Sequence, residues 1–264
     1  MRIFMFSLCQ LFILVIGNLV VNAYIPAVPT NDSAKISASV NLSDLSTIQL
    51  AWYPQGSYET TVSHQLVGSG SSGVNKGAFV HFSENNLTTD TTTTPWIALV
   101  ACDFNTSTSS PENDIFTLAR ARGAVSALLY SEWSEACIIN PEYANHKDFD
   151  HPIDVFSTKS LPSSRIITSE FLTINQTLFG DFNAERLNGS ANVINETLAT
   201  NVVPSSSYMF ATLTAAANIT NSTSTNTSTG STPSRSSGSK ASMKTEFVLI
   251  VLQVITGATV VVFG

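Results

Sequence analysis

WIALVA (Trp96–Ala101) and AVSALLY (Ala124–Tyr130) are two strand-length apolar runs, and one helix-length segment, PENDIFTLARARG (Pro111–Gly123), lies between them. The helix is marked at both ends. Asn113 or Asp114 can accept hydrogen bonds from the first free amides, and Ile115, Leu118 and Ala119 fall on one face. Arg120 and Arg122 suit the negative C-terminal end, and Gly123 can take the left-handed closing conformation. Strand, helix, strand in this order is a crossover unit, so the two runs are expected to lie parallel in one sheet. Their near-continuous apolarity is what coverage on both faces requires. Further strand-length segments at Thr47–Trp52, Gly77–Phe82 and Ile153–Ser157, with the Trp96 run reaching Asp103, complete the reading. The expected class is α+β or mixed α/β: a small mixed sheet with a helix packed on it, in a single domain.

A parallel pair carries both C-terminal strand ends to the same sheet edge. Cys102 sits at one such end, and Cys137 lies a few residues past the other. The remaining cysteine, Cys9, falls in an N-terminal segment expected to be removed. In an oxidising compartment the favoured reading of Cys102 and Cys137 is a disulfide. The alternatives, a catalytic or a metal-binding thiol, need a suitable setting or a surrounding ligand set. A bridge closing a loop of about 35 residues constrains the unfolded chain by roughly 3 to 4 kcal/mol.

The compartment is read from the ends of the chain. Residues 1–23 open with Arg2, run apolar from Ile3 to Ile16 and reach Val21-Asn22-Ala23, the pattern of a cleaved signal peptide. Asn-X-Ser/Thr sequons stand at Asn31, Asn41, Asn86, Asn105, Asn175, Asn188, Asn195, Asn218, Asn221 and Asn226, each a potential acceptor of N-linked glycan. From Ile219 the sequence ITNSTSTNTSTGSTPSRSSGSKAS is almost devoid of apolar residues and reads as a disordered, glycosylated Ser/Thr stalk over 219–246. FVLIVLQVITGATVVVFG (Phe247–Gly264) then closes the sequence. Small residues at Ser236, Ser237 and Gly238, a polar spacer and this hydrophobic run match the three-part signal for a glycosylphosphatidylinositol anchor, with attachment at Ser236 or Ser237. A C-terminal membrane helix is the alternative. The folded region is therefore expected over 24–218, in a glycoprotein of the secretory pathway held at the cell surface or in an endomembrane lumen.

The formal charge of −7 and the absence of a basic stripe argue against nucleic acid as partner. Histidines 146 and 151, in HKDFDH, are five apart, so they lack the four-residue spacing of a helical zinc site. With Asp148 and Asp150 they read as a solvated loop. GSGSSG (Gly68–Gly73) lacks the lysine of a phosphate loop and reads as a flexible turn. No nucleophile elbow with a following acid and histidine is present, so no catalytic residue, metal or cofactor is expected. Glu132, Trp133 and Glu135 follow the second apolar strand. They read either as a solvated loop or as a recognition rim, since exposed aromatics are favoured interface anchors.

WIALVACDF followed by FTLARARGAVSALLYSEWSEAC resembles the protease-associated domain family over about residues 78–167, through the ALVACD and ALLYS segments, Ala98–Asp103 and Ala127–Ser131. It is most similar to the version found in fungal membrane-anchored proteins, many of which also carry a RING finger after a transmembrane helix. Arg122-Gly123-Ala124 stands where the family usually has Ala-Gly-Ala, and the family's basic RRG turn is missing, so ligand contacts are not carried over. The resemblance implies a noncatalytic domain that binds protein or peptide partners. It also offers a second expectation: the ectodomain of a single-pass ubiquitin ligase whose cytoplasmic RING finger is not in this sequence.

Overall fold

A computed structural model describes residues 24–39, 46–83, 90–103, 114–145 and 153–216. The segments expected to be a signal peptide (with Cys9), a stalk and a hydrophobic anchor signal, with attachment expected at Ser236 or Ser237, lie outside these residues. So do Asn113, the HKDFDH histidines and the sequons at Asn41, Asn86, Asn105, Asn218, Asn221 and Asn226. The chain divides into units 1–219 and 220–264, and every described residue belongs to the first.

The order of elements is β1 (Ala27–Thr30), α1 (Ser33–Ser39), β2 (Thr47–Trp52), β3 (Gly56–Leu66), β4 (Val74–His81), β5 (Trp96–Ala101), α2 (Ile115–Ala121), β6 (Ala124–Tyr130), β7 (Ala136–Ile139), α3 (Pro141–Asn145) and β8 (Asp154–Thr158). Helices α4 (Leu161–Glu170), a 3-10 turn (Phe171–Thr173), α5 (Gln176–Phe179), α6 (Ala184–Gly189) and α7 (Ala191–Thr200) precede the last strand, β9 (Met209–Thr214).

The crossover predicted from the two apolar runs is present. β5 and β6 are parallel, with Leu99 beside Leu128 and Ala101 beside Tyr130. Asp114 caps α2 by accepting from Phe116 N and Thr117 N, both at 2.9 Å. Gly123 closes the helix at φ +97°, and a Cβ there would lie 2.0 Å from the Thr92 carbonyl oxygen, so the position excludes any side chain. Cys102 and Cys137 are bonded, with their Cα atoms 6.1 Å apart, inside the range a bridge spans.

The expectation of a small sheet is corrected. Seven strands close into a barrel in the order β2-β3-β8-β6-β5-β4-β9, and β1 and β7 form a separate antiparallel pair. The sheet is mixed: β4, β5, β6 and β8 run parallel to their neighbours in that series, while β2, β3 and β9 are antiparallel additions. Closure removes the open edges that such a sheet would otherwise present.

Alternation along the strands divides the core in two. Ile48, Leu50, Val62, Phe79, Ile97, Leu99, Leu128, Phe156, Met209 and Leu213 fill the barrel, and Ile167 and Phe171 continue this cluster from α4 and the turn after it. Ala78, Val80, Trp96, Ala98, Val100, Ala127, Leu129 and Val155 point outward and are covered by Ile115, Phe116 and Ala119 of α2, Leu187 of α6 and Ile194 of α7. This is why β5 and β6 are apolar at every position but Ser126. The outer face of β3, β2 and β9 is different: Glu59, Gln49 and Thr212 stand side by side there and are polar.

Candidate recognition surface at the barrel mouth

The parallel strands run out at one end of the barrel, and the loops that follow them gather there. Ser131, directly after β6, is buried and donates from its Oγ to Asp103 Oδ1 at 2.6 Å. The other Asp103 oxygen accepts from Glu132 N at 2.6 Å. Ser131 Oγ also accepts from Trp133 N at 3.2 Å and Ser134 N at 2.7 Å. Glu135 N donates to Asn31 Oδ1 at 3.0 Å, and Glu135 Oε2 accepts from Leu161 N at 3.0 Å, at the start of α4. Two residues later Cys137 is tied to Cys102. Every peptide amide from Glu132 to Glu135 therefore has a fixed acceptor.

The three loop residues singled out from the sequence thus play different parts. Trp133 is 68 % exposed, an uncommon state for so large an apolar side chain on a rigid backbone. Glu132 is exposed as well. Glu135 is half-buried, and one of its oxygens is committed to the first turn of α4, where a negative charge is favoured.

Inside the same mouth stand side chains that the sequence did not single out. His81 ends β4 and packs at 4.4 Å against Phe171, with Tyr130 edge-on at 6.2 Å. Burial pushes the His81 pKa down, against the opposing pull of Asp181. Burial first, and then the charges of Glu132 and Asp103, push the Tyr130 phenol up to about 12. Leu172, next to Phe171, is 75 % exposed. The common signal of His81 and Tyr130 is position: each ends a parallel strand, with Phe171 packed over His81, at the edge where ligands gather in parallel α/β sheets.

The opposite end of the barrel carries the other concentration of polar groups. Asp154, 2 % exposed at the start of β8, accepts from Gly68 N (2.8 Å), Ser71 Oγ (2.5 Å) and Asn75 Nδ2 (2.7 Å), with His64 Nε2 at 3.3 Å. Burial alone would raise this carboxyl, but His64, Ser71, Gly68 and Asn75 outweigh it and hold the pKa at about 2. GSGSSG is consequently not a free turn. A Cβ on Gly68 would sit 2.5 Å from the backbone of Ile153, so the loop can reach the carboxylate only through a glycine. Serine, histidine and aspartate meet here, but Ser71 gives its proton to Asp154 and not to His64, so the imidazole is not placed as its general base.

A groove of about 510 Å³ lies on the outer face of β2, β3 and β9 beside α7. Its polar walls pair among themselves: Gln49 Nε2 donates to Glu59 Oε2 at 3.1 Å, and Lys76 Nζ donates to Asn201 Oδ1 at 3.1 Å. Among the described residues no group of three or more His, Cys, Asp or Glu side chains is arranged to hold a metal ion, and no helix is long and apolar enough to cross a membrane. The described sequon asparagines, Asn31, Asn175, Asn188 and Asn195, are all exposed. Asn175 caps α5 and Asn188 Oδ1 accepts from Thr92 Oγ1 at 2.6 Å.

Compared with known proteins, the chain matches no family model and no curated protein.

Proposed function

We propose that the protein is a noncatalytic glycoprotein of the secretory pathway or cell surface, with a protease-associated-like domain that recognises a protein or peptide partner and a glycosylphosphatidylinositol anchor that tethers it. The observation that carries the recognition reading is Trp133: a tryptophan 68 % exposed on a loop whose amides all have fixed acceptors. Such a side chain loses little further freedom on binding, which is the property of an interface anchor. The parallel β5–α2–β6 unit with its bridge supports the family reading. The exposed sequons support passage through the lumen, and the small residues, spacer and hydrophobic run at 236–264 support the anchor.

Two measurements test this. Purified full-length protein is applied to an array of random dodecapeptides, beside the W133A variant and, as a control, V202A at an exposed valine remote in sequence. Binding that W133A removes and V202A keeps is expected; binding insensitive to W133A overturns the recognition reading. Treatment of intact cells with a phosphatidylinositol-specific phospholipase is expected to release the protein. Retention overturns the anchor, and a transcript that continues in frame into a cysteine-rich segment would favour the ligase ectodomain.

A further inference from the structure

Leu172 (75 % exposed) and Trp133 (68 %) are the two most exposed large apolar side chains among the described residues, and both belong to the same end of the barrel. Tyr130 precedes Trp133 by three residues and meets His81 at 6.2 Å; His81 in turn packs at 4.4 Å against Phe171, the neighbour of Leu172. The surface around Tyr130 is negative, because Asp103 and Glu132 both act on its phenol. The two carboxylates differ in what they have left to offer. Both oxygens of Asp103 are occupied by the loop, whereas the Glu132 carboxylate makes no hydrogen bond or ion pair among the described residues. Tyr130 is 6 % exposed, and its hydroxyl likewise has no partner among the described residues. The phenol oxygen is not among the buried side-chain oxygens that lack a partner, so it reaches the surface of the mouth and is open to an incoming donor.

We propose that the mouth docks a peptide segment of a partner protein that presents a Lys or Arg side chain beside an apolar one. The apolar residue lies on Trp133 and Leu172. The cation sits over the Trp133 ring and against the Glu132 carboxylate, with the Tyr130 oxygen as a nearby acceptor. A tryptophan and a leucine at one rim also suit a lipid headgroup layer, but the charges of Glu132 and Asp103 oppose approach to an anionic leaflet, and the peptide is the better match. The proposal rests on the recognition reading above and adds the chemistry of the ligand.

The test uses the dodecapeptide array with purified full-length protein and reads the composition of the bound set. Enrichment in Lys or Arg within a few positions of an aromatic or aliphatic residue is expected. W133A and L172A should each weaken the best binder about tenfold, and E132Q about three- to tenfold with a shallower salt dependence. All three side chains are exposed, so the denaturation midpoint serves as the control for folding. A W133A-sensitive set without basic enrichment, or one indifferent to E132Q, overturns the cationic ligand while leaving peptide recognition in place. Absence of any W133A-sensitive peptide overturns both. W133A-sensitive sedimentation with phosphatidylcholine–phosphatidylserine vesicles in place of peptide binding overturns the proposal in favour of a lipid surface.

Discussion

The two ends of the barrel each gather polar side chains and use them in opposite ways. At the Asp154 end one carboxylate takes three close donors and a histidine, all from the chain itself. At the Tyr130 end the backbone is satisfied while the side chains are not: Glu132 and the Tyr130 hydroxyl have no partner among the described residues, and Trp133 is largely in solvent. A polar cluster that closes on itself contributes stability, and one that keeps free valence on a fixed frame is equipped for a ligand. The polar groove on β2, β3 and β9 belongs with the first kind, since its charged and amide groups pair across it.

Mutation should separate the ends by the size of the stability effect. D154A leaves the donors of a buried carboxylate without an acceptor and is expected to destabilise by about 4 to 5 kcal/mol, seen as a large drop in denaturation midpoint or as failure to fold. Replacing both cysteines is next. C102A/C137A should lose roughly 3 to 4 kcal/mol, and non-reducing peptide mass spectrometry of the parent should show the Cys102–Cys137 pair; two free thiols would refute it.

Titration distinguishes the ends again. The folded-state pKa of Asp154 lies at about 2 against an ordinary 3.8, so its contribution is complete above the ordinary value and is lost as pH falls towards 2. That amounts to about 2 kcal/mol, and D154N should flatten stability against pH in this window. At the mouth the sign of the dependence is the same but its window is higher. His81 is held below its ordinary 6.5, so the unfolded chain takes up the proton first and stability declines as pH falls below that value. H81F should keep the ring packing on Phe171 and remove the slope. The smallest effect is expected at Trp133: W133A should change stability by less than about 0.5 kcal/mol, and a larger loss would mean that the ring is part of the frame.

The legible part of this fold was the part buried on both sides. β5 and β6 are apolar at nearly every position because barrel and helices both cover them, and Asp114 and Gly123 mark α2 at its ends. β3 escaped because GSYETTVSHQL has one face in solvent, and its Ser, Thr and His residues resemble a loop as much as a strand. Helices α4 to α6 had readable caps in Ser160, Asn175 and Asn183, but their apolar residues are few and the helices short. Closure itself had no local signature, since it depends on β9 pairing with β2 and β4 across more than a hundred residues of chain. At the mouth, the composition of the Glu132–Glu135 loop could be read in the sequence. Only the fold distinguishes the exposed Trp133 from the committed Glu135, and only the fold brings Leu172, His81 and Tyr130 to the same end.

Among the strands, β9 has a consequence for the order of events during synthesis. It sits between β2 and β4 and pairs with both, yet it is the last of the described strands to be made. Until residue 214 has emerged, β2 and β4 each present an unpaired edge, so the nascent domain is an open ribbon exposed to other chains. The Cys102–Cys137 bridge joins segments already complete by then and can form while the ribbon is open. Folding would then proceed in two stages: oxidation fixes the parallel half, and a single late strand shuts the barrel.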